Sequence, residues 1–231
     1  MTERRSQSEV GRLESEMLYV REVLHRISNE YTNAISFAHR IAANSSSQEA
    51  KAAAEKITRH LYALADAHRA LSPPPGDELT DLTENLSRLC RAMTSAWLIP
   101  GGITLQLAVP GPIYLRSKSC WRACLIVSEL IRNASIHASF SDQGRIAVSI
   151  DVALGRVSCR VSDDGSPALT YVPGVGTRLV DALASELQGS VDRQFGETGA
   201  KVVLSFPLDP IMLDEQPGPR RQTPSRPVCE A

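Results

Sequence analysis

The chain has 231 residues, 25 basic and 26 acidic, for a net charge of −1, and 42% of its residues are hydrophobic. That length allows one large domain or two modest ones, each with a buried core. Near-neutrality leaves no electrostatic footprint for nucleic acid or an anionic membrane surface, so neither is expected as a partner. No apolar run approaches the roughly 20 residues that span a bilayer. The polar start, Met1-Thr2-Glu3-Arg4-Arg5-Ser6, offers no signal-peptide core. A soluble, cytoplasmic protein is therefore expected. The five cysteines, Cys90, Cys120, Cys124, Cys159 and Cys229, are odd in number and scattered. Cys120 and Cys124 lie one helical turn apart but complete no zinc pattern, so the set reads as buried, reduced thiols.

In chain order, Leu13, Met17, Val20, Leu24, Ile27, Tyr31, Ala34, Ala38 and Ile41 recur at alternating spacings of four and three. This heptad seam predicts one long helix over 8–44. Asn44-Ser45-Ser46-Ser47 interrupts it, and Ser46 with Glu49 has the form of a capping box for a second helix. Ala50, Ala54, Ile57, Leu61, Leu64, His68 and Leu71 continue the spacing until Pro73-Pro74-Pro75-Gly76 stops it. The short connection predicts an antiparallel, all-α helical hairpin over 8–72. One such hairpin cannot cover its own apolar stripe. Two copies pairing as a four-helix bundle, and hence a homodimer, are expected.

The region 77–208 has a different character. Residues 79–98 read as a helix, 103–107 as an alternating strand and 119–138 as a mostly apolar helix. Two alternating strands, 145–152 and 156–162, flank a Leu154-Gly155 turn. A helix over 174–188 and strands at 190–193 and 200–206 complete the region. Helices with antiparallel strands in this order predict an α+β two-layer sandwich. The Pro-, Arg-, Gln- and Ser-rich stretch 209–231 reads as a disordered tail.

Two constellations carry chemistry. His25 borders the seam beside Leu24 while facing outward, and Glu22, His25 and Asn29 share one helical face. An exposed imidazole titrating near 6.5 offers a neutral nucleophilic nitrogen at cell pH. Glu22 is placed to hold its tautomer or take its proton. His39 and His60 lack these flanks, and His68, on the seam, is expected to be packed and hydrogen-bonded. In the second constellation, Glu129 and Asn133 share a helical face. An asparagine amide oxygen suits a Mg²⁺ ion that also touches nucleotide phosphates, and His137, one turn on, can reach a phosphate. Asp163 ends a strand, where its carboxylate can accept a hydrogen bond from an adenine amino group. Gly165 would let the backbone approach the base. Gly174 and Gly176 precede a helix whose N-terminal N–H groups can receive phosphate. Each piece alone reads equally well as a surface histidine, a turn or a helix face.

In order and spacing these segments resemble the sensor histidine kinases, and more closely the branch whose histidine box reads His-Arg-x-x-Asn. His25-Arg26-Ile27-Ser28-Asn29 matches that box. Glu129-Leu130-Ile131-Arg132-Asn133-Ala134-Ser135-Ile136-His137-Ala138 looks like the family's N box. Val161-Ser162-Asp163-Asp164-Gly165 and Gly174-Val175-Gly176-Thr177-Arg178-Leu179-Val180 look like its two glycine boxes. The ending over 199–207 fits as well. The resemblance implies a dimerisation and histidine-phosphotransfer hairpin followed by an ATP-binding domain of the GHKL (Bergerat) type. It implies that His25 accepts a phosphoryl group from ATP, Asn133 holds Mg²⁺ and Asp163 reads adenine. Gly165, Gly174 and Gly176 would shape the pocket, and Glu129 would support the metal or polarise the nucleophile. The phosphoryl group would pass to an aspartate on a response-regulator receiver domain.

Three departures from the family pattern stand out. Pro167 replaces the usual closing glycine of the first glycine box, and only Ala168 to Pro173 separate that box from Gly174. Few residues precede the first helix, so no sensor domain is expected and a signal would arrive through a separate sensor protein. Two other readings stay open. One is a degenerate kinase that shuttles phosphate between receiver domains through His25 with weak or no ATP binding. The other is a nucleotide-binding interaction protein in which His25 is idle.

Overall fold

A computed structural model describes residues 2–138, 140, 143–166 and 174–208, with the side chains of 2–17 and of His137 outside the description. Helix α1, Thr2–Asn44, and helix α2, Gln48–Ala70, pack as the expected hairpin. Leu13 and Met17 of the seam, and the 209–231 tail, fall outside the described side chains and residues. The cap of α2 differs from the Ser46–Glu49 box: Ser47 is the N-cap, and its hydroxyl accepts from the Ala50 N–H at 3.3 Å. Ser45 in turn accepts from the Ser47 N–H, so a run of three serines sets the turn one residue later.

The seam also shifts. Ile35 rather than Ala34 is buried, in step with half-buried Leu24, Ile27 and Tyr31, and Ala38, Ala54, Thr58 and Ala65 lie on the inner faces. Val20, Ile41 and Ile57 stay 39%, 45% and 55% exposed, because one antiparallel partner covers only one flank of each helix.

Beyond the Pro73–Pro75 linker, the expected 79–98 helix is three elements. Strand β1, Leu79–Asp81, pairs antiparallel with β3, Tyr114–Arg116. Helix α3, Leu82–Met93, begins immediately after it, because the Asp81 carboxylate caps it by accepting from the Thr83 N–H and hydroxyl, each at 2.8 Å. The helix then widens into a π turn, Thr94–Leu98, and a 3₁₀ turn, Ile99–Gly101, closed by left-handed Gly102.

The main sheet has the order β2-β4-β5-β7-β6. Its strands are β2 Ile103–Ala108, β4 Gly144–Ala153, β5 Arg156–Asp163, β6 Ser190–Gly196 and β7 Gly199–Pro207. The sheet is mixed rather than antiparallel throughout: β2 runs parallel to β4. The segment between them contains helix α4, Ser117–His137, which supplies the long crossover a parallel pair needs. With α5, Val175–Glu186, helices α3 and α4 cover one face of the sheet.

Leu82, Leu86 and Leu89 from α3 and Ile126, Val127 and Ile131 from α4 meet alternate strand residues Ile146, Val148, Val161, Leu204 and Phe206. The 3.6-residue and 2-residue periods thus converge on one core. Cys90, Cys120, Cys124 and Cys159 are free and buried in it, as expected, while Cys229 lies outside the described residues. Burial pushes the Cys90 and Cys159 thiols up to about 12. A hydrogen bond with Cys120, and then burial, raises Cys124. Thiolate chemistry is therefore suppressed at all three.

Candidate functional site

His25 is exposed on α1, and the Asn29 side-chain amide stands 3.4 Å from its Nε2. Because an amide N–H donates, this contact assigns Nε2 the lone pair and Nδ1 the ring proton. The expected partnership with Glu22 is not made. Glu22 instead accepts from Arg26 at 2.9 Å, the i,i+4 geometry in which a long guanidinium outreaches an imidazole three residues away. The His-Arg-x-x-Asn pattern therefore has a local logic: Arg26 occupies Glu22, and Asn29 addresses His25.

The second cluster gathers at the end of β5. Both described hydrogen bonds of the Asp163 carboxylate fall on Oδ1, from the Gly165 N–H at 3.1 Å and the Ala200 N–H at 3.3 Å, leaving Oδ2 for an outside donor. Burial raises the Asp163 carboxyl above the ordinary aspartate range, and neighbouring Asp164 adds to it, against the lowering effect of those two N–H groups. Asp164 is spent differently: its Oδ1 accepts from the Arg145 N–H at 2.8 Å and pins β5 to β4.

Two glycines let the chain close around Asp163. A Cβ on Gly165 would stand 2.6 Å from the Ala138 Cβ and 3.1 Å from the Phe140 ring. A Cβ on Gly199, whose φ is +136°, would overlap the Asp163 carbonyl. Gly199, Ala200, Ala138 and Phe140 are site neighbours that pattern reading did not single out, because their role is purely one of backbone approach.

Glu129 and Asn133 are half-buried on one face of α4. A Cβ on Gly176 would overlap the Glu129 carboxylate, so α5 starts in direct contact with it. Gly176 does not precede the helix, as expected, but is its second residue, and Gly174 is the N-cap. Among the described residues none crowds Gly174, whose φ of −92° any side chain can adopt. N-cap Gly174 makes no side-chain cap and the first turn of α5 holds no acidic residue, so the positive end of the helix dipole favours an anion at this position. A carboxylate and an anionic ligand at one helix end repel unless a cation lies between them. Glu129 and Asn133, on one face of α4, are oxygen donors that could hold one. Among the described residues no group of three or more His, Cys, Asp and Glu side chains forms a self-sufficient metal cage. Mg²⁺ takes one or two protein ligands and completes its shell from phosphates and water.

The His137 side chain, Pro167 and the 168–173 segment lie outside the description. A cavity of about 340 Å³ bordered by Arg116, Ser119, Glu186 and Leu208 is not this site. It sits at the other end of α4, where Ser119 is 14 residues, or roughly 21 Å, from Asn133.

No family model matches the chain. It is 27% identical over 165 residues to blue-light-activated histidine kinase 1 of Erythrobacter litoralis, covering 67% of this chain and 44% of that protein. It is 26% identical over 198 residues to the sensor histidine kinase PdtaS of Mycobacterium tuberculosis, covering 82% of this chain and 39% of that protein. The chain thus spans less than half the length of these relatives. Among solved structures, the histidine kinase domain of an Erythrobacter litoralis blue-light-activated histidine kinase superposes with a TM-score of 0.52 at 22% identity. That match covers 77% of this chain and 96% of the domain. The sequence relatives are histidine kinases, and the fold is that of a histidine kinase domain.

Proposed function

We propose, for a chain whose relatives are histidine kinases, that it is itself a protein-histidine kinase: it takes the γ-phosphoryl group of ATP onto His25 and passes it to a response-regulator aspartate. The observation that carries this reading is the closure of the backbone around Asp163 and Glu129. Gly165, Gly199 and Gly176 each stand where a Cβ would collide, and that closeness serves a flat base and a polyphosphate. A pure phosphotransferase needs the exposed His25 but none of those approaches. An idle-histidine binding module needs neither Asn29 at Nε2 nor Arg26 drawing Glu22 aside.

In this mechanism Asp163 Oδ2 accepts from the adenine amino group, and the N–H groups opening α5 receive phosphate. Mg²⁺ held by Asn133 and supported by Glu129 would offset the charge on the phosphates. Once the Asn29 amide releases its lone pair, His25 Nε2 forms a bond to the γ-phosphorus in line with the breaking bond to the β–γ bridging oxygen, which leaves with ADP. The Nδ1 proton of the resulting phosphoimidazolium is then lost. Glu22 can take it by letting go of Arg26, an exposed i,i+4 pair worth only about 0.3–0.5 kcal/mol.

The exposed Val20, Ile41 and Ile57, together with Phe37 and Tyr62, supply the stripe on which a second copy completes a four-helix bundle. Among the described residues no helix is long and apolar enough to cross a membrane, and a cytoplasmic location goes with the proposed ATP and receiver-domain partners. The domain limits 8–72 and 77–208 follow from the same reading. Titration of the full chain with Mg-ATP tests it. Submillimolar binding that weakens at least tenfold in Asn133→Ala is expected. No binding by the wild type, with phosphate acquired only from a phosphorylated receiver domain, would favour the phosphotransferase.

A further inference from the structure

The chain has two tryptophans, and both stand where the hairpin meets the α/β domain. Trp121, on α4, donates its indole N–H at 2.8 Å to the carbonyl of Leu71, the C-cap residue of α2. Trp97 belongs to the π turn and meets the His68 ring edge-on, centroids 6.4 Å apart at 73°. The same imidazole stacks on Tyr31 of α1 at 5.4 Å and 20°. His68 therefore ties together α1, α2 and the first helical layer of the α/β domain. The π turn has a structural consequence here, since an extra residue in a turn re-aims the side chains that follow it.

His68 was expected to be hydrogen-bonded. Instead its Nδ1 is buried without a partner. Leaving a buried polar atom unpaired costs about 1–3 kcal/mol, and the atom has no role in the chemistry above. Among the described residues no carboxylate forms an ion pair with His68. On α2, Asp66 and Arg69 pair with each other at the surface. From α1 the Tyr31 ring stacks on His68, and the Arg21 guanidinium is engaged by the Pro74 carbonyl at 2.7 Å. The π turn carries no charged residue, and on α4 Arg122 is held by Glu186. Protonating this half-buried ring would place an unpaired N–H at the buried Nδ1, which the aromatic faces of Tyr31 and Trp97 offset only in part.

We propose that the Tyr31–His68–Trp97 stack is a positioning device that docks the α/β domain on the hairpin, and that it holds only while the imidazole is neutral. His25 lies six residues before Tyr31 on α1, roughly 9 Å along the helix. Asn133 lies on the helix that Trp121 anchors to α2. The joint thus sets the placement of phosphate acceptor and nucleotide domain, and in that respect it rests on the kinase reading. Burial lowers His68 below the ordinary histidine value. The docked form therefore keeps its full stability above about pH 6.5. Below that, the undocked form takes up the proton first. Docking weakens up to about tenfold per pH unit until the docked ring titrates as well.

The test has one arm independent of kinase activity. Tryptophan emission of the full chain, followed from pH 8 to 4.5, should show a transition with a midpoint below 6.5. The transition should be absent from His68→Phe, which keeps a ring but cannot be protonated, and reduced in Trp97→Phe. In the second arm, at pH 7.5, His68→Ala should lower the autophosphorylation rate at saturating ATP at least fivefold. The ATP concentration for half-maximal rate should not change, and His68→Phe should restore the rate. An emission transition that persists in His68→Phe, or none in the wild type, overturns the proposal, as does an equal loss in His68→Ala and His68→Phe. Absence of labelling in every variant, with the emission result intact, counts against the kinase reading and leaves the docking device standing.

Discussion

Asp163 Oδ1 holds the backbone at Gly165 and Ala200, while Oδ2 takes no hydrogen bond among the described residues and is the atom proposed to meet adenine. Its burial has a pH signature. An aspartate is ordinarily ionised above about 3.8, and this one keeps its proton to higher pH because desolvation penalises the anion. Binding an adenine amino group needs the unprotonated oxygen. ATP affinity should therefore fall as pH drops through a midpoint above 3.8, as read by calorimetric titration. Asp163→Asn should flatten that limb and cost at least about tenfold in affinity at pH 7, the worth of one hydrogen bond to a charged group. Its effect on folding should run the other way. A raised folded-state value means the acid form stabilises the fold at low pH, a contribution lost as pH rises through that value, so the substitution should not lower Tm at neutral pH. Residue types and order were enough to single out His25, Glu22 and Asp163 as candidates. Their partners were not legible: Glu22 was expected beside His25, yet the neighbouring Arg26 takes it, because three- and four-residue spacings compete on one helix face.

At the scale of elements, Asp81 is the clearest single point of failure. Its Oδ1 accepts from the Thr83 N–H and hydroxyl and from the Ile113 N–H at 3.2 Å, so it caps α3 and closes the β1–β3 ribbon together. Asp81→Ala should destabilise the protein by about 1–2 kcal/mol in urea unfolding. The 79–98 segment shows why sequence pattern reached only part of this. Leu82, Leu86 and Leu89 announce a helix, but a three-residue strand leaves no periodicity, and the π turn keeps an apolar run that reads as more helix. The parallel pairing of β2 escaped for a related reason: alternation in Ile103-Thr104-Leu105-Gln106-Leu107 states which face is buried and says nothing of strand direction. The core strands β4 and β5 were legible because burial alternates along seven residues of each, and β7 because Val202 and Val203 lead into buried Leu204 and Phe206.

For the whole molecule, the hairpin remains incomplete in one chain. Ile57, Phe37 and Ile41 are each at least 45% exposed along a helical pair whose inner faces are built mainly from small residues. The account expects a second copy there. Ile57→Glu should shift sedimentation from dimer to monomer while the α/β domain keeps its fold by circular dichroism. An unchanged dimer would place the interface elsewhere. The helical period of α1 and α2 stops at Pro73-Pro74-Pro75-Gly76, and strand β1 follows at Leu79. The joint between hairpin and sandwich left no such mark, since His68, Trp97 and Trp121 come from segments that share no pattern.

The most direct measurement is incubation of the purified chain with γ-labelled ATP and Mg²⁺ beside His25→Ala and Asn133→Ala. The account predicts an acid-labile, base-stable label on the wild type that is absent from His25→Ala and reduced at least tenfold in Asn133→Ala. Label that survives in His25→Ala, or a wild type that stays unlabelled, would contradict it.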